Sequence, residues 1–188
     1  MRHLLASLLI ASAAACATTP ANPGLGADMP QPPPASEEHA WLLQFVGEWD
    51  VVGEADMGPG AEPMRMQFRE TVRSIGDYWT VSESRADFDG TPFHSVLTLG
   101  YDPNRQHFVG SWVDSFQTHF WTYRGSLDAS KKVLTLEAQG PAFGDPTQLA
   151  NYRDVLEWAG PNLRRSTSWI QQGSEWVKFM SSEATRRR

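Results

Sequence analysis

From Trp49 to Arg186 the sequence is a succession of short apolar–polar alternations broken by turn-forming residues, a pattern that points to antiparallel sheet. Turn signals stand at "MGPGAEP" (57–63), Asp89-Gly90, "DPNR" (102–105), "DASK" (128–131), "GPAFGDP" (140–146), "GPN" (160–162) and "QGS" (172–174). They separate ten candidate strands, beginning near Trp49, Met64, Tyr78, Pro92, His107, Thr118, Lys132, Leu149, Leu163 and Glu175. Short connections let each strand pair with the next. A ten-stranded meander can close on itself and so remove its exposed edges. The pattern therefore predicts an all-β fold, a roughly ten-stranded antiparallel up-and-down barrel.

The stretch "QTHFWTYRGSL" (117–127) shows how faces are assigned. Side chains alternate across a strand, so His119, Trp121 and Tyr123 share one face while Thr118, Phe120 and Thr122 share the other. Counting across the turns, "DPNR" pairs Leu99 with Phe108 and Leu97 with Gly110. A tight turn at Ser115-Phe116 pairs Trp112 with His119 and Gly110 with Trp121, leaving room at the glycine for an indole. "DASK" pairs Tyr123 with Leu136. One face then collects Phe93, Leu97, Leu99, Phe108, Trp112, Trp121, Tyr123, Leu134 and Leu136, and is the predicted interior. The opposite face carries His94, Thr98, Ser111, Thr122, Thr135 and Glu137.

Ahead of the strands, Ser36 followed by Glu37 and Glu38 reads as a capped helix start. The apolar run Ala40 to Phe45, ended by Gly47, makes one short helix that is expected to plug one end of the barrel. Residues 1–15 have a basic start (Arg2), an apolar run from Leu4 to Ala11 and small residues up to Ala15, which is the pattern of a signal peptide. Cys16, the only cysteine, follows directly, and this junction resembles the lipobox of bacterial lipoproteins, in which that cysteine is acylated. Ala13 stands where Leu is commoner, and Ala13-x-Ala15 also suits an ordinary signal peptidase. If the junction is a lipobox, Ala17 in place of Asp implies the outer membrane, and an envelope protein facing the periplasm. Residues 16–35, rich in Pro, Ala and Gly, read as a disordered tether from the lipid anchor to a domain spanning 36–188.

"FVGEWDV" places Gly47 and Trp49 at the opening of the first strand, and the chain ends in the basic "SSEATRRR". This combination resembles the lipocalin-like (calycin) superfamily. The resemblance implies that Trp49 packs across the closed end beneath an arginine of the last strand, Arg186 or Arg187. The ensemble "EHAWLLQFVGEWDV", "ETVRSIGDYW", "TLGYDPNRQHFVGSWV", "THFWTYRGSLD", "LTLEAQGP" and "YRDVLEW" is more specific. Over about residues 37–187 it resembles the bacterial domain-of-unknown-function family 1579. That implies a fold and a bacterial context, with no activity or catalytic residues to carry over.

In a meander, alternate loops lie at one end. The loops at 102–105, 128–131 and 160–162 share the helix end, so "MGPGAEP" and "GPAFGDP", the two longest, border the open mouth. The Ser115-Phe116 turn also lies there. His119, Tyr152, Asp154 and Phe143 are thus expected to converge above Trp112, Trp121 and Tyr123 in a cavity for a small apolar or amphipathic molecule. Asp154 has a plainer reading too, as the partner of Arg153 or Arg73. No G-x-S-x-G, H-E-x-x-H, G-x-G-x-x-G or phosphate-cradling motif occurs, and the five histidines never cluster at metal-ligand spacing. No catalytic residue, cofactor or metal is assigned. The net charge of -6 argues against a nucleic-acid partner, and membrane contact is expected through the N-terminal lipid alone. The alternatives are an interaction lipoprotein whose barrel is filled by its own aromatics, a hydrolase or isomerase using His119 as base, or a haem-binding barrel with an inward histidine ligand.

Overall fold

The computed structural model describes residues 31–188, so the signal peptide, Cys16 and most of the tether lie outside the described residues. One helix, α1 (Glu37–Leu43), precedes ten strands. These are β1 (Gly47–Ala55), β2 (Met64–Ile75), β3 (Trp79–Phe88), β4 (Thr91–Asp102), β5 (His107–Asp114), β6 (Trp121–Leu127), β7 (Val133–Ala142), β8 (Asp145–Gly160), β9 (Leu163–Gln172) and β10 (Glu175–Arg186). Each strand pairs antiparallel with the next, and β1 pairs with β10 from Trp49↔Arg186 to Ala55↔Met180, which closes the barrel.

The helix stops a full turn before Gly47. At its start the Ser36 amide donates to His39 Nδ1 at 3.0 Å, and His39 Nε2–H then donates to the Tyr101 carbonyl at 3.1 Å, so His39 ties the helix to β4. Trp41, Leu42 and Phe45 pack with Trp49, Phe108, Leu134 and Leu136 as one buried cluster. That cluster is the floor of the barrel. Trp49, wholly buried, donates Nε1–H to the Phe45 carbonyl at 2.8 Å and stacks with the guanidinium of Arg186 4.2 Å from its ring centroid. Arg186 spends its donors on the carbonyls of Pro161, Val46 and Gln44, which stitches the last strand to the helix–β1 corner. Gly47, at φ +141°, passes directly beneath it, and a Cβ there would overlap the guanidinium.

The predicted faces are the observed ones, but each predicted register is displaced by two residues. Leu97 pairs with Trp112 and Leu99 with Gly110, Trp112 with Trp121, Gly110 with Tyr123, and Gly125 with Leu136. The cause lies in where each hairpin turns. The β4–β5 ladder ends at Asp102↔His107, so its four-residue turn is 103–106 and not 102–105, with Gln106 absorbing the reversal at φ 54°. Residues 115–120 form a true connection where a tight turn at Ser115-Phe116 is expected. A shift of two keeps every side chain on its own face, because the pleat repeats every two residues. "GPAFGDP" is not a long loop either. Ala142 pairs with Asp145, so Phe143-Gly144 is a two-residue turn, with Gly144 at φ 83°.

Candidate functional site

The strands position three layers inside the wall. Below lies the apolar floor. Above it, the lumen-facing positions at mid-height are short: Ser82 and Ser84 on β3, Ser95 on β4, Gly110 on β5, Ser166 and Ser168 on β9, and Ser182 on β10. Side chains this small cannot reach across ten strands to meet each other, since eight strands already leave about a side chain's width to fill. Lumen-facing Tyr123, Asp154, Leu156, Ser166 and Ser182 are accordingly only half-buried although the wall surrounds them. The third layer is an aromatic rim.

Asp154 sits in the middle layer. It pairs with Leu136 on β7 and with Ser168 on β9, between Tyr152 toward the mouth and Leu156 toward the floor. Tyr123 donates its hydroxyl to Asp154 Oδ2 at 2.8 Å, and Ser168 donates a second hydrogen bond. The arginine partners expected from the sequence are engaged elsewhere: Arg153 bonds Glu137 on the outer wall at 2.9 Å and Arg73 faces Glu83. Burial pushes the Asp154 carboxyl above its ordinary range, against the downward pull of the two hydroxyls. The Tyr123 phenol is held well above its own range, first by burial and then by the neighbouring Asp154, so it remains a donor.

A raised acid has a definite linkage sign. The folded state then holds the proton more tightly than the unfolded chain, so this contribution is present below the unfolded value of about 3.9 and is lost as pH rises through the folded one. Asp154→Asn, which keeps an acceptor for Tyr123, is therefore expected to raise the stability of the ligand-free protein at neutral pH. It should also flatten the fall of stability on the alkaline side of about pH 4. Urea titrations of both proteins at several pH values read this directly; equal stability at pH 4 and pH 8 would show that the carboxyl carries no such cost.

The rim is built from Trp112, Trp121, Tyr152, Phe143 and Phe179. Ring centroids lie 6.4 Å apart for Trp112–Trp121, 4.8 Å for Trp121–Tyr152, 5.9 Å for Tyr152–Phe143 and 5.1 Å for Phe143–Phe179. The glycine that admits the Trp121 indole is Gly140, not Gly110: a Cβ on Gly140 would overlap the ring. Gly110 faces Tyr123 instead. Phe143, Phe116 and Phe120 stand exposed at this end.

His119 lies just ahead of β6, half-buried, with its ring edge-on to Trp121 at 4.9 Å. Its Nε2–H donates to the Gln139 carbonyl at 3.1 Å. That bond spans a break in the wall. The β6–β7 ladder runs only from Leu127↔Leu134 to Arg124↔Glu137. Nearer the mouth the strands part around a cleft of about 560 Å³, whose inner lining includes Tyr123, Ala138 and Tyr152. His119 thus bridges two strands that no longer bond by their backbones. Among the other described histidines, His39 is consumed at the helix start and His94 and His107 stand on the outer face. Among the described residues, no group of three or more His, Cys, Asp or Glu is placed to hold a metal ion.

All seven cavity candidates lie in the upper half of the barrel, and Tyr123 and Asp154 are hydrogen-bonded partners. Sequence reasoning missed the serine layer, although alternation in "STS" (166–168) already puts Ser166 and Ser168 on one face. It also missed Phe179, for which no signal existed: a bulge between Lys178 and Met180 breaks the alternation there.

Solved structures of low sequence identity resemble the chain. Rv2717c from M. tuberculosis matches with a TM-score of 0.52 at 15% identity, over 82% of this chain and 100% of its own. A redesigned β-barrel gives 0.42 at 10% identity, over 77% and 93% of the two chains. The chain matches no curated protein sequence. Residues 34–186, the whole barrel with its helix, match the profile of the DUF1579 proteins of unknown function, and the chain belongs to that family.

Proposed function

We propose that the barrel binds a small amphipathic molecule, its apolar body held by the rim aromatics and its polar end by the middle layer. One observation carries this reading. At mid-height serines and a glycine face the lumen around a hydrogen-bonded Tyr123–Asp154 pair. A few placed polar groups within apolar walls is the usual composition of small-ligand sites. A barrel selected only for stability gains more from leucine and phenylalanine there, as its own floor illustrates. We also propose that the chain is an exported bacterial envelope lipoprotein held through Cys16, since the small-residue junction precedes a Pro-rich tether.

Native mass spectrometry of the protein purified from its host tests both parts. The expected spectrum contains a complex that releases a small non-protein mass on activation. Denaturing the same sample should leave a chain beginning at Cys16 with diacylglycerol added. A ligand-free protein whose Trp112 and Trp121 emission is unmoved by added amphiphiles would reject the binding reading. A soluble, unmodified chain would reject the anchor.

A further inference from the structure

We propose that the molecule bound in this lumen carries a single cationic nitrogen on an apolar body, with Asp154 as its counter-ion; this rests on the binding reading above. The lumen-facing charges decide it. Glu70 and Arg164 neutralise each other at the floor. Arg186 is spent on three carbonyls. Asp114, at the rim and open to solvent, holds the Phe116 amide and the Gln117 side chain and adds a further uncompensated negative charge there. Asp154 remains, and among the described residues no cation lies within ion-pair distance of it.

Its two partners are neutral hydroxyls. Tyr123 and Ser168 supply two hydrogen bonds to a carboxylate with about four acceptor positions. An enclosed carboxylate without a cation is costly, and an ammonium group brought by a ligand removes that cost. One layer deeper, the Ser166–Ser182 hydroxyl pair, 2.7 Å apart, offers further acceptors for the remaining N–H groups. A ligand carboxylate would meet the opposite situation, a like charge at Asp154 and a guanidinium already claimed by Glu70.

The approach to the lumen carries the same sign. Asp56, Asp87, Asp89, Asp145 and Glu175 ring the open end, and none of them is ion-paired among the described residues. Asp56, Asp87 and Asp145 also accept turn amides, but a neutral amide leaves their charge uncompensated. Arg65 and Lys178 stand at the same end, but the balance is acidic, and such a surplus attracts cations and repels anions before contact.

Isothermal titration calorimetry with decylamine, decan-1-ol and decanoate at pH 7.5 separates the possibilities, the chain length being constant. Decylamine is expected to bind at least tenfold more tightly than the other two. Asp154→Asn should remove most of that preference. Equal binding of all three, or tighter binding of decanoate, overturns the cationic assignment and leaves the binding reading standing. Absence of binding by any of them, from a protein that also co-purifies with no ligand, ends both. Should Asp154→Asn fail to fold by circular dichroism, the selectivity of the unmodified protein still decides the matter.

Discussion

Trp49→Ala is expected to destabilise the domain by about 3–5 kcal/mol, the usual range for removing a fully buried tryptophan. For a domain of this size that corresponds to a fall in Tm on the order of 10 °C. The indole is the keystone of the closure. It lies on β1, pairs with Arg186 on β10 and Glu70 on β2, and carries guanidinium groups at 4.2 Å (Arg186) and 4.7 Å (Arg164) from its ring centroid. Its removal opens a cavity beneath α1 and also strands the Arg186 fork. Arg186→Lys keeps the charge but loses the three-carbonyl geometry, so a smaller loss is expected. Chemical denaturation measures both. A loss below about 1 kcal/mol for Trp49→Ala would mean that the seam is held elsewhere.

The Glu70–Arg164 pair gives the second large effect. Both side chains are nearly enclosed, at 10% and 12% exposure, beside the wholly buried Trp49. Arg164→Met leaves the Glu70 carboxylate in an apolar floor without its cation, and an expected loss of about 3–5 kcal/mol follows. Replacing both partners by methionine should recover most of it, because the pair has already been desolvated at a cost. Arg164 Nε, buried without a hydrogen-bond partner, adds to that cost. A double-mutant cycle reads the coupling directly. If the double substitution is as unstable as Arg164→Met alone, the pair is worth more than its desolvation and the apolar replacement fails to pack.

The amine series and the stability of Asp154→Asn bear on one another. A carboxyl that destabilises the empty protein and strengthens its complex is retained for binding, since a fold under selection for stability alone discards it.

How much was legible in the sequence differs between faces, registers and partners. Trp112, Trp121 and Tyr123 are assigned inward, and Ser111 and Thr122 outward, by the alternation of side chains along their own strands. That assignment survives an error of two in each of the three hairpins from β4 to β7, since a two-residue slip returns each side chain to the same face. The number of strands follows from turn chemistry that is equally local, Asp89-Gly90 and the glycines at 144 and 173 adopting the positive φ their turns need. Family-level resemblance added the Trp49–Arg186 closure, which alternation could not supply.

Absolute register belongs to the tertiary structure. It depends on where each ladder stops bonding, and neither the end of the β4–β5 ladder at Asp102↔His107 nor the length of the 115–120 connection is written in residue type. The same holds for the partners of the site. Tyr123 meets Asp154 across 31 positions of chain, Gly140 makes way for Trp121, and His119 reaches the Gln139 carbonyl where β6 and β7 part. Periodicity is a property of one strand and is set by backbone geometry alone. Contacts between strands are set by the competition of every side chain in the barrel for the same enclosed volume, and only the closed wall resolves that competition.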